Sequence, residues 1–157
     1  MPRYRRIHAP GATYAFTVCL ADRSANTLTD HVDLLRDAYA RTVREHPVRV
    51  HAMCVLPDHL HAVWTLPEGD ANYPLRWQLI KRRFGDALGR RVWQPRYWEH
   101  TIRDADDHAN HVNYVHGNPV KHGHVREIDD WPHSTWHRWK REHGAPWTPP
   151  PGDMRMA

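Results

Sequence analysis

Apolar and polar positions alternate with two different periods along this chain. Residues 13–20 (Thr-Tyr-Ala-Phe-Thr-Val-Cys-Leu) are almost entirely β-branched, aromatic or apolar and predict a strand. A helical pattern follows: Asp30 supplies an N-cap, and Leu34, Leu35, Ala38 and Val43 fall on its apolar side. The helix runs to about Glu45, and Pro47 ends it. Residues 48–56 and 59–66 are two further strand-like runs, joined by a tight turn at Pro57-Asp58. After a loop at 67–72, residues 74–88 place Trp77, Ile80, Phe84 and Leu88 at helical spacing, and Gly89 is the stop. Residues 96–102 predict a fourth strand. Asp104 caps a last helix that carries Val112, Tyr114, Val115 and Asn118 and stops at Pro119. Beyond it the chain reads as irregular, with the segment 131–136 (Trp-Pro-His-Ser-Thr-Trp) as its apolar anchor.

The order strand, helix, strand, strand, helix, strand, helix contains a central antiparallel hairpin. It predicts an α+β sandwich, a central antiparallel sheet with helices packed on one face. A length of 157 residues suits one domain, and no internal repeat divides it. We place that domain at residues 1–144. The tail 145–157, with Pro146, Pro149, Pro150 and Pro151, is expected to be poorly ordered.

Composition adds a lean toward nucleic acid. The formal charge is +4, and 15 histidines, eight tryptophans and six tyrosines are present. Basic residues interleaved with aromatics suit single-stranded nucleic acid, whose phosphates need neutralising and whose bases stack. Arg76, Lys81, Arg82 and Arg83 lie largely off the apolar stripe of their helix, as a solvated face or as a track for a DNA backbone. No segment is long and apolar enough for a membrane span, so a cytoplasmic protein without a membrane partner is the expectation. Cys19 and Cys54 sit in apolar runs and read as small core residues.

The sharpest candidate chemistry is His59-Leu60-His61. On a strand, residues i and i+2 share a face, so both imidazoles can hold one metal ion. Tyr114 and Asn118 are four apart on a helix and share a face as well. Two imidazoles and an amide oxygen leave positions open for phosphate oxygens. Magnesium prefers all-oxygen sites, so manganese suits the imidazoles better, and zinc lacks further soft ligands. Tyr114 is a candidate covalent nucleophile, which His108 or His111 on the same helix could assist. A phosphotyrosine conserves the energy of the cleaved bond, in keeping with the absence of a G-x-x-x-x-G-K loop.

These residues carry a resemblance. Residues 56–67 (Leu-Pro-Asp-His-Leu-His-Ala-Val-Trp-Thr-Leu-Pro) resemble the histidine–hydrophobic–histidine motif of single-tyrosine transposases. Blocks at 76–81, 93–100, 114–123 and 130–132 resemble, in order, the REP-associated tyrosine transposases. The resemblance implies an αβ sandwich, a divalent metal (Mg2+ or Mn2+) and single-stranded DNA folded as a repetitive extragenic palindrome hairpin. It implies Tyr114 as nucleophile and His59, His61 and Asn118 as metal ligands. It also implies that the basic arm, Arg3, Arg5 and Arg6, reads the hairpin foot. Charge and placement add Arg76, Lys81, Arg82 and Lys121 as DNA contacts, as phosphate anchors more than base readers. Two positions depart from the family pattern. Gly117 stands where bulkier residues are common and is expected to loosen the helix, and the 131–136 segment varies a more aromatic-serine pattern. Related transposases act as dimers with shared active sites. The extra tail here would cover such a surface, so a monomer is favoured over a homodimer, in the cytoplasm and associated with the nucleoid.

Three rival readings remain open: a non-catalytic hairpin-binding protein of the same fold, a replication or mobilisation nuclease, and a zinc-binding structural protein. The second class tends to carry further domains. The first has no need of all four of His59, His61, Tyr114 and Asn118.

Overall fold

A computed structural model describes residues 9–144 and 146–157 of the chain. Four strands form one sheet: β1 (Thr13–Cys19), β2 (Arg49–Val55), β3 (His59–Thr65) and β4 (Trp98–Thr101). Their order across the sheet is β2-β3-β1-β4, and every neighbouring pair is antiparallel. Helices α1 (Thr27–Asp30), α2 (Val32–Glu45), α3 (Tyr73–Leu88), α4 (Ala105–Lys121) and α5 (Trp136–His143) complete the layers.

The period of two along each strand sorts the side chains. Tyr14, Phe16 and Val18 of β1 and Leu60, Ala62 and Trp64 of β3 face one side, where they are buried with Leu35 of α2 and Trp77, Ile80 and Phe84 of α3. Trp64 and Trp77 stack at 4.2 Å, and Phe16 meets both edge-on, at 5.1 and 5.4 Å. Each such aromatic pair adds about 0.5–1.5 kcal/mol to its area burial. Ala15, Ala52, Cys54 and Val63 face the other side and are buried with Val112, Tyr114 and Val115 of α4. Helices therefore cover both faces of the sheet, not one. Thr17, His59 and His61 are in phase with Ala15 and Val63, so the strands themselves aim them at α4.

Local signals explain most boundaries. Asn72 caps α3 by accepting from the Leu75 amide at 3.2 Å, and Gly89 closes it with φ 74°. Asp104 caps α4 by accepting from the Asp107 amide at 2.8 Å. Three expectations need correcting. Asp30 is not a cap, because a short α1 precedes α2 and His31 lies between them. The helix α4 does not stop at Pro119 but runs on to Lys121. A proline in the last turn forfeits one intrahelical bond, and the buried faces of Asn118 and Pro119 hold the turn in place. The 131–136 segment leads into α5, and its residues 133–135 cover the β2 edge, with the Val55 amide donating to the His133 carbonyl and the Thr135 amide to the Met53 carbonyl.

The tail also departs from expectation. Met156 is fully buried, among the residues packed under α4, and Met154 packs beside it. The Trp147 indole donates to the Asn113 carbonyl at 2.9 Å and lies directly on Gly117. The glycine that was expected to loosen α4 is helical and makes the seat for this ring. Low hydropathy and four prolines predict disorder, but one tryptophan and two methionines supply the anchors.

Candidate active site

His59 and His61 open β3 with ring centroids 4.8 Å apart, nearly perpendicular, and both are buried. Hydrogen bonds fix which nitrogen each presents. The Nδ1 of His59 donates to the Asp58 carboxylate at 2.8 Å, and Arg23 holds that carboxylate from its other oxygen at 2.7 Å. The Thr17 hydroxyl lies 2.9 Å from Nδ1 of His61 and also bonds the Met156 carbonyl. A carbonyl only accepts, so the one Thr17 proton goes there and His61 Nδ1 is the donor. Both imidazoles thereby turn an Nε2 lone pair toward α4, which is how outer hydrogen bonds prepare metal-binding histidines.

Charge follows the same logic. Burial pushes the proton affinity of His59 down, and the Asp58 hydrogen bond only partly restores it. Burial, and then the neighbouring His59, drive His61 well below the ordinary imidazole range. Burial would raise the Asp58 carboxyl, but its bonds to Arg23 and His59 outweigh that and hold it low. The pair is neutral and the supporting carboxylate is charged, the states a cation requires.

From α4 come Tyr114 and Asn118, one turn apart. The Tyr114 ring lies 5.7 Å from that of His61, edge to face, and is 8% exposed. Asn118 is fully buried beside both imidazoles. Nε2 of His61 and both amide atoms of Asn118 have no hydrogen-bond partner among the described residues. Each unmatched buried group costs about 1–3 kcal/mol. Nε2 of His61 and the amide oxygen of Asn118, left bare beside the buried His59 imidazole, fit a divalent cation, and the mixed donor set suits Mn2+ at least as well as Mg2+. The four residues singled out on the sequence are thus brought together within one chain.

The basic residues divide. Arg76 is 2% exposed, and its guanidinium bonds Asp70 and the carbonyls of His46, Pro47 and Asn72. It builds the α2–α3 corner, and its assignment as a DNA contact is withdrawn. Lys81 donates to the Gln94 carbonyl at 2.7 Å. Lys81 and Arg82, with Arg90, Arg91, Trp93 and Tyr97, line a groove of about 950 Å³ beside α3. Lys121 is exposed but sits on the nucleophile candidate, its Nζ donating to the Tyr114 oxygen at 2.9 Å. Arg3, Arg5 and Arg6 lie outside the described residues.

Two expected helpers point elsewhere. His108 packs edge-on against His51 at 4.7 Å. His111 stacks on His100 at 4.6 Å; the Asp107 carboxylate bonds His100 Nε2 at 2.8 Å, and His111 Nδ1 donates to the Asp107 backbone carbonyl at 2.7 Å. The His100–Asp107–His111 group could hold a metal ion, its donor atoms lying within 4.8 Å of one another. Unlike Nε2 of His61, its nitrogens are engaged, Nε2 of His100 with the Asp107 carboxylate and Nδ1 of His111 with the Asp107 carbonyl. Sequence reasoning missed this group and the roles of Thr17 and Asp58. Asp58 had a signal, as a carboxylate immediately before the histidine pair. Thr17 had none, because its contact depends on strand register.

Helical layers on both sides of a β2-β3-β1-β4 antiparallel sheet, with this chemistry gathered under a single helix, define the α+β class of transposase-like domains. No protein-family model matches the chain. A REP-associated tyrosine transposase of Escherichia coli (strain K12) is 47% identical over 139 residues, covering 88% of this chain and 84% of that one. A Haemophilus influenzae relative named for the same family is 41% identical over 153 residues, covering 88% and 87%. A solved structure of a REP-associated tyrosine transposase bound to a REP hairpin is 43% identical. It superposes with a TM-score of 0.94 and covers 100% of this chain and 97% of its own. The chain belongs to the REP-associated tyrosine transposase family.

Proposed function

We propose that this protein is a metal-dependent single-stranded DNA endonuclease and strand transferase. It acts on REP-like hairpins through a covalent 5′-phosphotyrosine on Tyr114. The observation that carries the reading is the placement of Tyr114 against His61, whose Nε2 is buried without a hydrogen-bond partner among the described residues, as is the amide of Asn118. His59, His61 and Asn118 would hold Mg2+ or Mn2+. Such an ion would polarise the target phosphate and offset its charge. The residues do the rest: Asp58 and Thr17 hold the imidazoles in the metal-binding tautomer, and α4 aims the phenol at the same point. The Tyr114 oxygen attacks phosphorus and the 3′ oxygen leaves. A second 3′ end reverses the step without ATP.

The hairpin is taken as substrate because the solved relative is bound to one. Lys81 and Arg82 in the α3 groove, and Arg3, Arg5 and Arg6, are proposed as contacts to its backbone and foot. A monomer suffices, since nucleophile and ligands come from one chain. Among the described residues no helix is long and apolar enough to cross a membrane, and the proposed place of work is the cytoplasm, at the nucleoid.

The test is a denaturing gel of protein with labelled hairpin DNA and Mn2+ or Mg2+, wild type beside Tyr114→Phe. A protein–DNA adduct made only by wild type with metal supports the reading. Tight binding without adduct by either protein, across several hairpins and both metals, replaces it with a non-catalytic hairpin binder.

A further inference from the structure

We propose that Lys121 is a catalytic residue, the hydrogen-bond donor that stabilises the Tyr114 oxygen as nucleophile and, later, as leaving group. The proposal rests on the phosphotyrosine reading above. By charge alone Lys121 reads as a phosphate anchor. Its geometry says otherwise. The Nζ lies 2.9 Å from the Tyr114 oxygen and 4.4 Å from the centroid of its ring. Tyr114 and Lys121 are seven residues apart, two turns on one helix face, and they meet only because α4 continues through Pro119. A lysine at an exposed helix end ordinarily keeps its ammonium in water. This one is turned back onto a phenol that is 8% exposed.

Phenols attack phosphorus as phenolates. The phenolic proton passes to water, and the Tyr114 oxygen forms its bond to phosphorus. The bond to the 3′ oxygen breaks, and that oxygen takes its electron pair and then a proton from water. In the return step the bond from phosphorus to the Tyr114 oxygen breaks, and the same oxygen departs with the electron pair. Negative charge sits on this one atom at the start of the first transfer and the end of the second. An ammonium already in place needs no reorganisation to meet it. Lys121 acts only as a hydrogen-bond donor and takes no part in the proton balance. The His61 ring meets the Tyr114 ring edge to face, and no other cation among the described residues bonds the Tyr114 oxygen. An attack-site donor and a backbone anchor differ in what their loss does, since only the anchor contributes to DNA affinity and its salt dependence.

The experiment compares full-length wild type, Lys121→Met and Lys121→Arg in single-turnover adduct formation on a REP hairpin with Mn2+. Hairpin affinity is measured at two salt concentrations, and Mn2+ affinity is measured without DNA. For Lys121→Met we expect a rate at saturating DNA lower by about 10²-fold, the usual loss for one such donor. Its hairpin affinity, salt slope and Mn2+ affinity should stay within about twofold, and Lys121→Arg should recover most of the rate. A loss confined to DNA affinity, with a lower salt slope and an unchanged saturated rate, makes Lys121 a phosphate anchor and overturns the proposal. So does an unchanged rate and affinity, or a loss of rate that tracks a loss of Mn2+ binding. No adduct from wild type removes the phosphotyrosine reading itself, and the proposal with it.

Discussion

Gly117→Ala should unseat the C-terminal tail. A Cβ at position 117 would lie 2.3 Å from Cζ2 of the Trp147 indole, closer than such contacts allow, and 3.0 Å from its Cε2. The backbone of α4 is fixed by the sheet, so the ring must leave. An indole buries roughly 200 Å² when fully covered, and more than half of Trp147 is covered, so at least about 100 Å² returns to water. At about 25 cal/mol per Å² that removes about 2.5 kcal/mol. The lost hydrogen bond to the Asn113 carbonyl adds about 1 kcal/mol. Helix propensity at position 117 does not enter, because α4 is folded whether the tail is docked or open. The loss of about 3.5 kcal/mol corresponds to a rise in tail opening of about 300- to 400-fold. Hydrogen exchange of residues 147–157, read by mass spectrometry, measures it directly. Trp147→Ala should give the same rise without touching α4. Since the Met156 carbonyl rests on Thr17 beside His61, both variants should also bind Mn2+ faster. Unchanged tail exchange in Gly117→Ala would refute the seating argument, because the ring would then have another place to lie.

Three other outcomes follow from the same contacts. His116 is fully buried, and burial followed by the Arg138 charge lowers its pKa from 6.5 to about 4. The unfolded chain therefore binds the proton first on acidification. The stability involved is full above about pH 6.5 and is lost as pH falls toward 4, amounting to about 2 kcal/mol by pH 5. Urea unfolding at pH 7 and pH 5 should show that loss, and His116→Gln should reduce it. Arg76→Met leaves Asp70 and three carbonyls without their partner, and should destabilise by about 3–5 kcal/mol in thermal unfolding. Hairpin affinity at a temperature where both proteins are folded should be unchanged, and a selective loss of affinity would restore Arg76 as a DNA contact. Asp58→Asn and Thr17→Val should each weaken Mn2+ binding about 10- to 100-fold by calorimetry, with little change in unfolding temperature. Unaltered affinity would mean that the two imidazoles need no outer support.

Much of the site was legible because its spacing is local. The i, i+2 histidines on a strand and the i, i+4 tyrosine and asparagine on a helix each share a face by backbone geometry alone. The caps at Asn72 and Asp104 and the stop at Gly89 work over three or four residues, so helix ends there were readable or nearly so. Arg76 was misread for the opposite reason. Its partners lie on another helix end and a loop, and a sequence pattern gives no warning that carbonyls converge on one guanidinium. His108 and His111 were expected near Tyr114 because they share its helix, but they point along other faces, to His51 and to Asp107.

The alternation of side chains decided, from sequence alone, that β1 and β3 would each have two faces and that His59 and His61 would share one. Helical spacing did the same for Tyr114, Asn118 and Lys121, although Pro119 hid the last of them. Which strand face met which helix was decided only in the folded chain. So were the strand order that puts Thr17 opposite His61, and the docking of Trp147 and Met156 under α4. Local periodicity is set by backbone geometry, whereas these pairings depend on contacts between residues up to 139 apart along the chain. Burial and complementary shape in the assembled core select them.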